Sequence, residues 1–145
     1  MATKIEISVE YLGTAMQMYR EQRNLWCAVL LAATAFELLD GHLHENESVH
    51  TIAWRAQHQM HELETGGKPS DKEVRDVLYE AKNAIKHMKD GVLDVDKDPA
   101  FEARWYIDQA LICFEKLGLP ETAEVWAYCD RRNAELGLQQ SGAGS

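Results

Sequence analysis

The run from Leu25 to Leu39 limits the folds open to this chain more than any other feature. Only Thr34 and Glu37 interrupt it, and it contains neither glycine nor proline. Its fifteen residues are too few to cross a bilayer, which takes about 20. A helix that is apolar nearly all round belongs in a protein interior, so we expect this run to form the central helix of the domain.

Apolar residues at helical spacing recur along the rest of the chain, whereas the alternation typical of strands is not sustained. Ser70 and Glu73 form a capping box, Asp98 stands in an N-cap position before Pro99, and Gly118 suits the end of a helix. We therefore expect an all-α fold, a single bundle of about five to six helices built from antiparallel hairpins. The predicted helices span residues 5–23, 25–44, 49–64, 71–89, 99–117 and 120–136.

Three of these helices carry apolar faces that we expect to meet the core. The face of the first helix consists of Val9, Leu12, Met16 and Tyr19. The face of the third consists of Ile52, Ala56, Met60 and Leu63. The apolar stripe of the fourth helix consists of Val74, Val77, Leu78, Ala81, Ile85 and Met88. With no linker long enough to divide the chain, residues 1–137 are expected to form one domain and residues 138–145 a flexible tail.

The charge balance excludes some classes of partner. The chain has 24 acidic and 15 basic residues, a net charge of −9, which argues against a protein that coats nucleic acid or an anionic membrane surface through bulk charge. We expect no DNA partner and no membrane partner. No basic segment followed by an apolar one marks a secretory signal. Cys27, Cys113 and Cys129 lie in apolar helical stretches without CxxC spacing. We expect buried, reduced thiols and a cytoplasmic protein.

The predicted fourth helix carries a short polar motif on the side away from its apolar stripe. Asn83 and His87 lie one turn apart on one face. Lys82, Lys86 and Lys89 recur at i, i+4 and i+7, which gives a basic strip beside the imidazole. Because the whole chain is acidic, this local strip stands out.

These residue types suit phosphodiester chemistry. The His87 imidazole could take a proton from a ribose 2′-hydroxyl or give one to the leaving oxygen. Lysine and asparagine donors could hold the phosphate oxygens as charge builds. The alternative interpretation is a solvated polar helix face, or a face that a partner subunit covers.

The opening hairpin and this motif together resemble the HEPN superfamily, the higher eukaryotes and prokaryotes nucleotide-binding domains. In the hairpin, Met18 and Tyr19 precede a polar junction and an alanine-rich run that leads into Glu37. The later helix has a motif similar to Arg-Asn-x-x-x-His, which here runs Lys82-Asn83-Ala84-Ile85-Lys86-His87. The resemblance covers roughly residues 8–89.

The resemblance implies an all-α domain that dimerises with the polar motif near the dimer cleft. Many family members are metal-independent RNases, and others are non-catalytic binding or scaffold domains. By position His87 would be the catalytic histidine, Asn83 would follow the usual arginine, and Glu37 would match the glutamate of the second helix. Lys82 replaces that arginine, and lysine lacks the planar, bidentate grip on phosphate. An active RNase and a degenerate member therefore both remain open.

The implied site has Lys82 and Asn83 positioning the phosphate, His87 as the general acid and base, and Glu37 as an orienting or structural carboxylate. Lys86 and Lys89 would add phosphate-binding charge. We expect no cofactor and no metal. The expected partners are a second copy of the chain, RNA or a nucleotide, and an antitoxin-like protein.

Glu37 is also unusual without the resemblance, because it interrupts the apolar run. A buried ionised carboxylate costs several kcal/mol unless it is paired or hydrogen-bonded. It could pair with a neighbouring helix and hold the helices in register, or it could brace a site.

Histidines offer a weaker alternative, a metal-binding helical bundle. Glu47 precedes His50 by three residues, a spacing that di-metal sites in helical bundles use. Such a site needs two of these motifs and two further inward carboxylates, and only Glu37 offers itself as one. We therefore favour surface positions for the five histidines that precede the fourth helix, His42, His44, His50, His58 and His61.

Aromatic residues support a second class of function, a non-enzymatic interaction module. No basic cleft of comparable size accompanies the tryptophans, so we interpret them as core or interface anchors instead of base-stacking platforms. In that class the face of Asn83 and His87 packs against a partner. The tryptophans are Trp26, Trp54, Trp105 and Trp126.

Overall fold

A computed structural model describes the two ends of the domain and scattered positions between them. The described residues are 1–43, 48–49, 56, 58–60, 62–64, 66–67, 70, 72 and 97–137. Within these ranges the only regular secondary structure is helical, which confirms the all-α prediction. Four helices have both ends within the described residues: α1 (Lys4–Glu21), α2 (Leu25–Asp40), α3 (Pro99–Lys116) and α4 (Ala123–Glu135).

The first two helices form the predicted hairpin with slightly shorter bounds. The Thr3 hydroxyl accepts a hydrogen bond from the Glu6 N–H at 3.1 Å and so caps α1. Gln22 is in the left-handed region with φ 54°, which ends α1 two residues before the predicted limit. The predicted extension of the second helix to residue 44 is wrong, because α2 ends at Asp40 and residues 41–42 form a turn.

α3 begins and ends where the sequence predicts. The Asp98 side chain accepts from the Ala100 N–H at 3.1 Å, and Pro99 occupies the first turn. At the other end Gly118 has φ 67°, and its N–H donates to the Glu115 carbonyl while the Leu119 N–H donates to the Phe114 carbonyl. This pair of bonds is a Schellman motif, and it needs the positive φ that glycine adopts freely.

α4 begins three residues later than predicted. Pro120 does not open the helix, because Thr122 is the N-cap and its hydroxyl accepts from the Val125 N–H at 3.2 Å. Proline occurs in loops that connect helices as well as in the first turn of a helix, so Pro120 does not by itself mark the start of α4. Gly137 has φ 74° just past the end of α4, as the sequence predicts.

α2 packs most extensively against α3 and α1, as expected of a central helix. Small side chains on its buried face let the neighbouring helices approach closely. The predicted apolar face of α1 is also confirmed, since three of its four members are buried and Val9 is half-buried. The buried residues of α2 are Ala28, Val29, Ala32, Ala33, Ala35, Phe36 and Leu39.

α2 is nevertheless not buried all round. Cys27 and Glu37 are both exposed. The prediction of three buried thiols is therefore wrong for Cys27 and right for Cys113, and Cys129 is half-buried. A mean composition over fifteen residues shows that a helix is apolar but not which of its flanks a neighbour covers.

A further prediction of burial fails in the described residues. On the predicted face of the third helix, Ala56 is exposed, Met60 is 55% exposed and Leu63 is 87% exposed, while Ile52 lies outside the described residues. Among the tryptophans, which we predict to be core or interface anchors, Trp126 on α4 is 60% exposed, so it does not lie in the core of this chain.

Trp26 and Trp105 are half-buried, and Trp54 lies outside the described residues. None of the described helices is long and apolar enough to span a membrane.

Candidate functional site

The predicted phosphate-handling motif lies outside the part of the chain that the structure describes. This applies to Lys82, Asn83, Lys86, His87 and Lys89. The predicted tail, residues 138–145, lies outside it as well. Glu37 is the predicted site residue whose position the structure describes.

Glu37 is exposed on α2, between buried Phe36 and half-buried Leu38. The prediction that Glu37 is a buried carboxylate is therefore wrong, because water solvates its charge. The negative charge of Glu37 nevertheless acts on a residue of α3. Burial, followed by the negative charges of Glu102 and Glu37, raises the pKa of the Tyr106 hydroxyl.

The described residues contain no group of three or more histidine, cysteine or carboxylate side chains that could hold a metal ion. His42 is exposed and His58 is half-buried. The remaining candidate ligands, His44, Glu47, His50 and His61, lie outside the described residues.

Asp40 organises a separate polar cluster at the end of α2. One carboxylate oxygen, Oδ2, accepts from the Ser48 hydroxyl at 2.7 Å. The other, Oδ1, accepts from the Val49 N–H at 2.7 Å and from the Cys113 thiol at 3.6 Å. Burial and the Asp40 charge raise the pKa of the Cys113 thiol to about 12. A thiol that stays protonated is a poor nucleophile, so this cluster is structural.

A larger polar network joins α4 to α1 and α3. The Tyr19 hydroxyl donates to the Glu135 carboxylate, with its oxygen 2.9 and 2.7 Å from the two acceptors. Arg132 donates to Glu135 at 3.1 Å and to Asp108 at 3.2 Å. The Tyr128 hydroxyl donates to Asp108 at 2.6 Å. We call these five residues the α4 network.

The protonation states of the α4 network match its hydrogen bonds. Burial raises the pKa of Tyr128, and the Asp108 carboxylate raises it further. Burial alone would raise the pKa of Glu135, but hydrogen bonds from Tyr19 and Arg132 outweigh it, so that pKa is lowered. Neutral tyrosines therefore donate to ionised carboxylates. With its donors and acceptors matched in this way, the network is suited to holding α4 in place.

Arginines on α1 and α4 extend these contacts. Arg131 donates to the Arg20 carbonyl at 3.0 Å, and its guanidinium lies 5.7 Å from the centre of the Tyr19 ring. Arg20 in turn donates to Glu124 at 2.6 Å. The Tyr19 and Tyr128 rings meet edge to face with centroids 5.6 Å apart.

The sequence analysis missed the α4 network. The sequence places Tyr19 on the apolar face of α1, which is correct for its ring but does not predict the hydrogen bond that its hydroxyl donates. The spacing of Arg131, Arg132 and Glu135 at i, i+1 and i+4 was an available signal, because residues three and four apart share a helix face. The partner on α1, Tyr19, lies 116 residues from Glu135 in sequence, and local spacing does not reveal it.

No family model matches the chain, and neither does any curated protein or solved structure. The functional argument therefore starts from the chain's own residues.

Proposed function

We propose that this chain is a HEPN-like helical domain that binds or cleaves RNA by metal-independent acid–base chemistry. The supporting observation is the α1–α2 hairpin, in which the alanine-rich run is buried and Glu37 is exposed. These are the elements on which the resemblance depends in this half of the chain. An exposed carboxylate can meet a polar ligand or orient a neighbouring imidazole.

The residues have distinct roles in this proposal. His87 removes the proton from a ribose 2′-hydroxyl, whose oxygen attacks the adjacent phosphorus. The bond from phosphorus to the 5′-oxygen breaks, and a protonated imidazole supplies the proton to that leaving oxygen. Lys82 and Asn83 hold the phosphate oxygens while negative charge builds. Glu37 orients the site, and Lys86 and Lys89 attract the RNA backbone.

Cleavage of RNA in excess chelator tests this proposal. We expect the parent protein to release products ending in a 2′,3′-cyclic phosphate, and His87→Ala to release none. His42→Ala is the matched control, because His42 is an exposed histidine and its loss should leave cleavage unchanged. Equal cleavage by the parent and by His87→Ala would contradict the assignment of His87.

A binding assay covers the case of a degenerate member. RNA binding without cleavage, weakened by His87→Ala and not by His42→Ala, supports the binding form of the proposal. Lys82→Arg then restores the bidentate grip on phosphate and is expected to increase affinity. Absence of both binding and cleavage, across structured and single-stranded RNAs, would contradict the proposal.

The second candidate function is a non-catalytic interaction module, as a homodimer or within a larger complex. Two large aromatic side chains favour it, because Phe101 is 50% exposed and Trp126 is 60% exposed. Sedimentation equilibrium of the parent and of Trp126→Gln tests whether a dimer forms through α4. A dimer that dissociates more readily in the variant supports a seam at α4, and a dimer unaffected by the substitution contradicts it.

A further inference from the structure

An apolar groove lies where the start of α1 meets the end of α3 and the connection to α4. Its volume is about 390 Å³ and it is open to solvent along one side. This volume falls within the range of about 300–1,000 Å³ that ligand sites occupy. The apolar lining residues are Ile5, Val9, Phe114, Leu119 and Pro120.

A second, smaller hollow of about 240 Å³ adjoins this groove. The two depressions share Phe114, Leu119 and Glu121 as walls. The smaller one continues between α3 and α4, past Leu111 and Val125. Two adjoining apolar depressions match a segment that presents two apolar side chains better than they match one compact small molecule.

The borders of the two depressions are acidic. Glu6 and Glu121 border the larger one, and Glu115 and Glu121 border the smaller one. All three side chains are exposed. The ion pairs seen among the described residues use other acids, Glu21, Asp108, Glu124 and Glu135.

The N-termini of α1 and α4 also lie at this surface, with Thr3 and Thr122 as their caps. Each helix end contributes roughly half a positive charge. Three full carboxylates outweigh these two partial charges. The border therefore attracts cations and repels the phosphates of nucleic acids and of anionic membranes.

We propose that this surface docks a short basic amphipathic segment of another protein. Two apolar side chains of the segment enter the two depressions, and lysine or arginine side chains lie beside Glu6, Glu115 and Glu121. The proposal uses Glu6, Glu115, Glu121 and the apolar lining, and none of these residues belongs to the motif proposed to hold phosphate.

A pair of peptides with matched apolar residues tests this proposal on the full chain. The probe is a 14-residue amphipathic peptide of leucine and lysine, and the comparison peptide has glutamate at every lysine position. In a titration followed by amide NMR, we expect shift changes concentrated in residues 5–9 and 111–125. We also expect the lysine peptide to bind at least about tenfold more tightly than the glutamate peptide. Equal binding of the two peptides, or changes spread over the whole surface, would overturn the proposal.

Two variants separate a specific groove from general attraction to an acidic protein. Glu6→Gln/Glu121→Gln should weaken binding of the lysine peptide several-fold. Glu62→Gln/Glu64→Gln is the control, since it removes the same net charge at two exposed carboxylates outside the groove. Equal weakening by the two double variants would overturn the proposal.

The apolar lining is tested by Val9→Ser, in a half-buried side chain. Loss of peptide binding together with an unchanged pattern of amide shifts in α2 and α4 supports docking in the groove. Unchanged affinity would overturn it. Should the substitution disturb the fold, Ile5→Ser, which is nearer the start of α1, gives the same comparison.

Discussion

α2 and α4 are attached to the rest of the protein by different kinds of contact. α2 buries seven residues, all of them apolar, against α1 and α3. α4 buries only Val125 and Tyr128 and is otherwise held by tyrosine hydroxyls, arginines and carboxylates. Hydrophobic burial depends little on pH and is strengthened by some salts, whereas ion pairs weaken as salt or acid is added. We therefore expect α4 to respond to salt and acid more than the apolar contacts of α2 do.

The largest expected effect comes from removing an aromatic ring from the face of α2. Phe36 is buried and its ring meets Trp105 edge to face, with centroids 6.4 Å apart. Phe36→Ala should lower the free energy of unfolding by about 3–5 kcal/mol, because it removes apolar contacts and leaves a cavity. Denaturant unfolding measures this loss.

The matched control is Phe101→Ala, in a phenylalanine at the start of α3 that is half exposed. Because part of its ring already contacts water, we expect a loss below about 1 kcal/mol. Similar losses from the two substitutions would contradict the account of α2 as the buried helix.

An intermediate effect is expected from the α4 network. Tyr128→Phe keeps the buried ring and removes the hydroxyl that donates to Asp108. A hydrogen bond to a charged acceptor contributes about 1.5–3 kcal/mol, so we expect a loss in that range. Tyr11→Phe is the control, since Tyr11 is a half-buried tyrosine on α1 that is not part of the α4 network. A loss of stability from Tyr11→Phe as large as that from Tyr128→Phe would show that the hydrogen bond to Asp108 is not the cause.

The smallest effect is the pH dependence of α4. The pKa of Glu135 is lowered in the folded protein, so its contribution is present above its ordinary value of 4.5 and is lost as pH falls through the folded pKa. Amide exchange in α4 should therefore accelerate relative to α2 below about pH 4.5, after correction for the intrinsic rate. Glu135→Gln should reduce this difference.

Glu10→Gln removes the same charge from an exposed position on α1. It should leave the pH dependence of α4 as it is in the parent protein. Acid loss of α2 and α4 protection in parallel would show that the two helices open together.

Local signals predicted the parts of the fold that local interactions determine. Asp98 with Pro99 marks the start of α3, and Gly118 marks its end, because capping involves residues within one turn. The hairpin of α1 and α2 follows from their short polar junction. Proline and threonine both occur where helices begin. The sequence therefore predicts a start of α4 at Pro120, whereas the structure has Thr122 as its N-cap.

Features that depend on tertiary contacts were not accessible from the sequence. The exposure of Glu37 depends on which flank of α2 faces α3, and the apolar run conceals that choice. The bond from Tyr19 to Glu135 joins opposite ends of the chain. At the candidate site, the sequence supplies residue types and spacing for His87 and Lys82, and the structure adds that Glu37 is exposed.

Glu37→Gln tests most directly whether that exposed carboxylate serves function and not the fold. Its RNA cleavage and binding in excess chelator are measured beside its denaturant unfolding, with Glu10→Gln as the control. The account predicts unfolding like that of the parent for both variants, and reduced cleavage or binding for Glu37→Gln alone. Unchanged handling of RNA by Glu37→Gln, or a loss of stability of several kcal/mol, would contradict it.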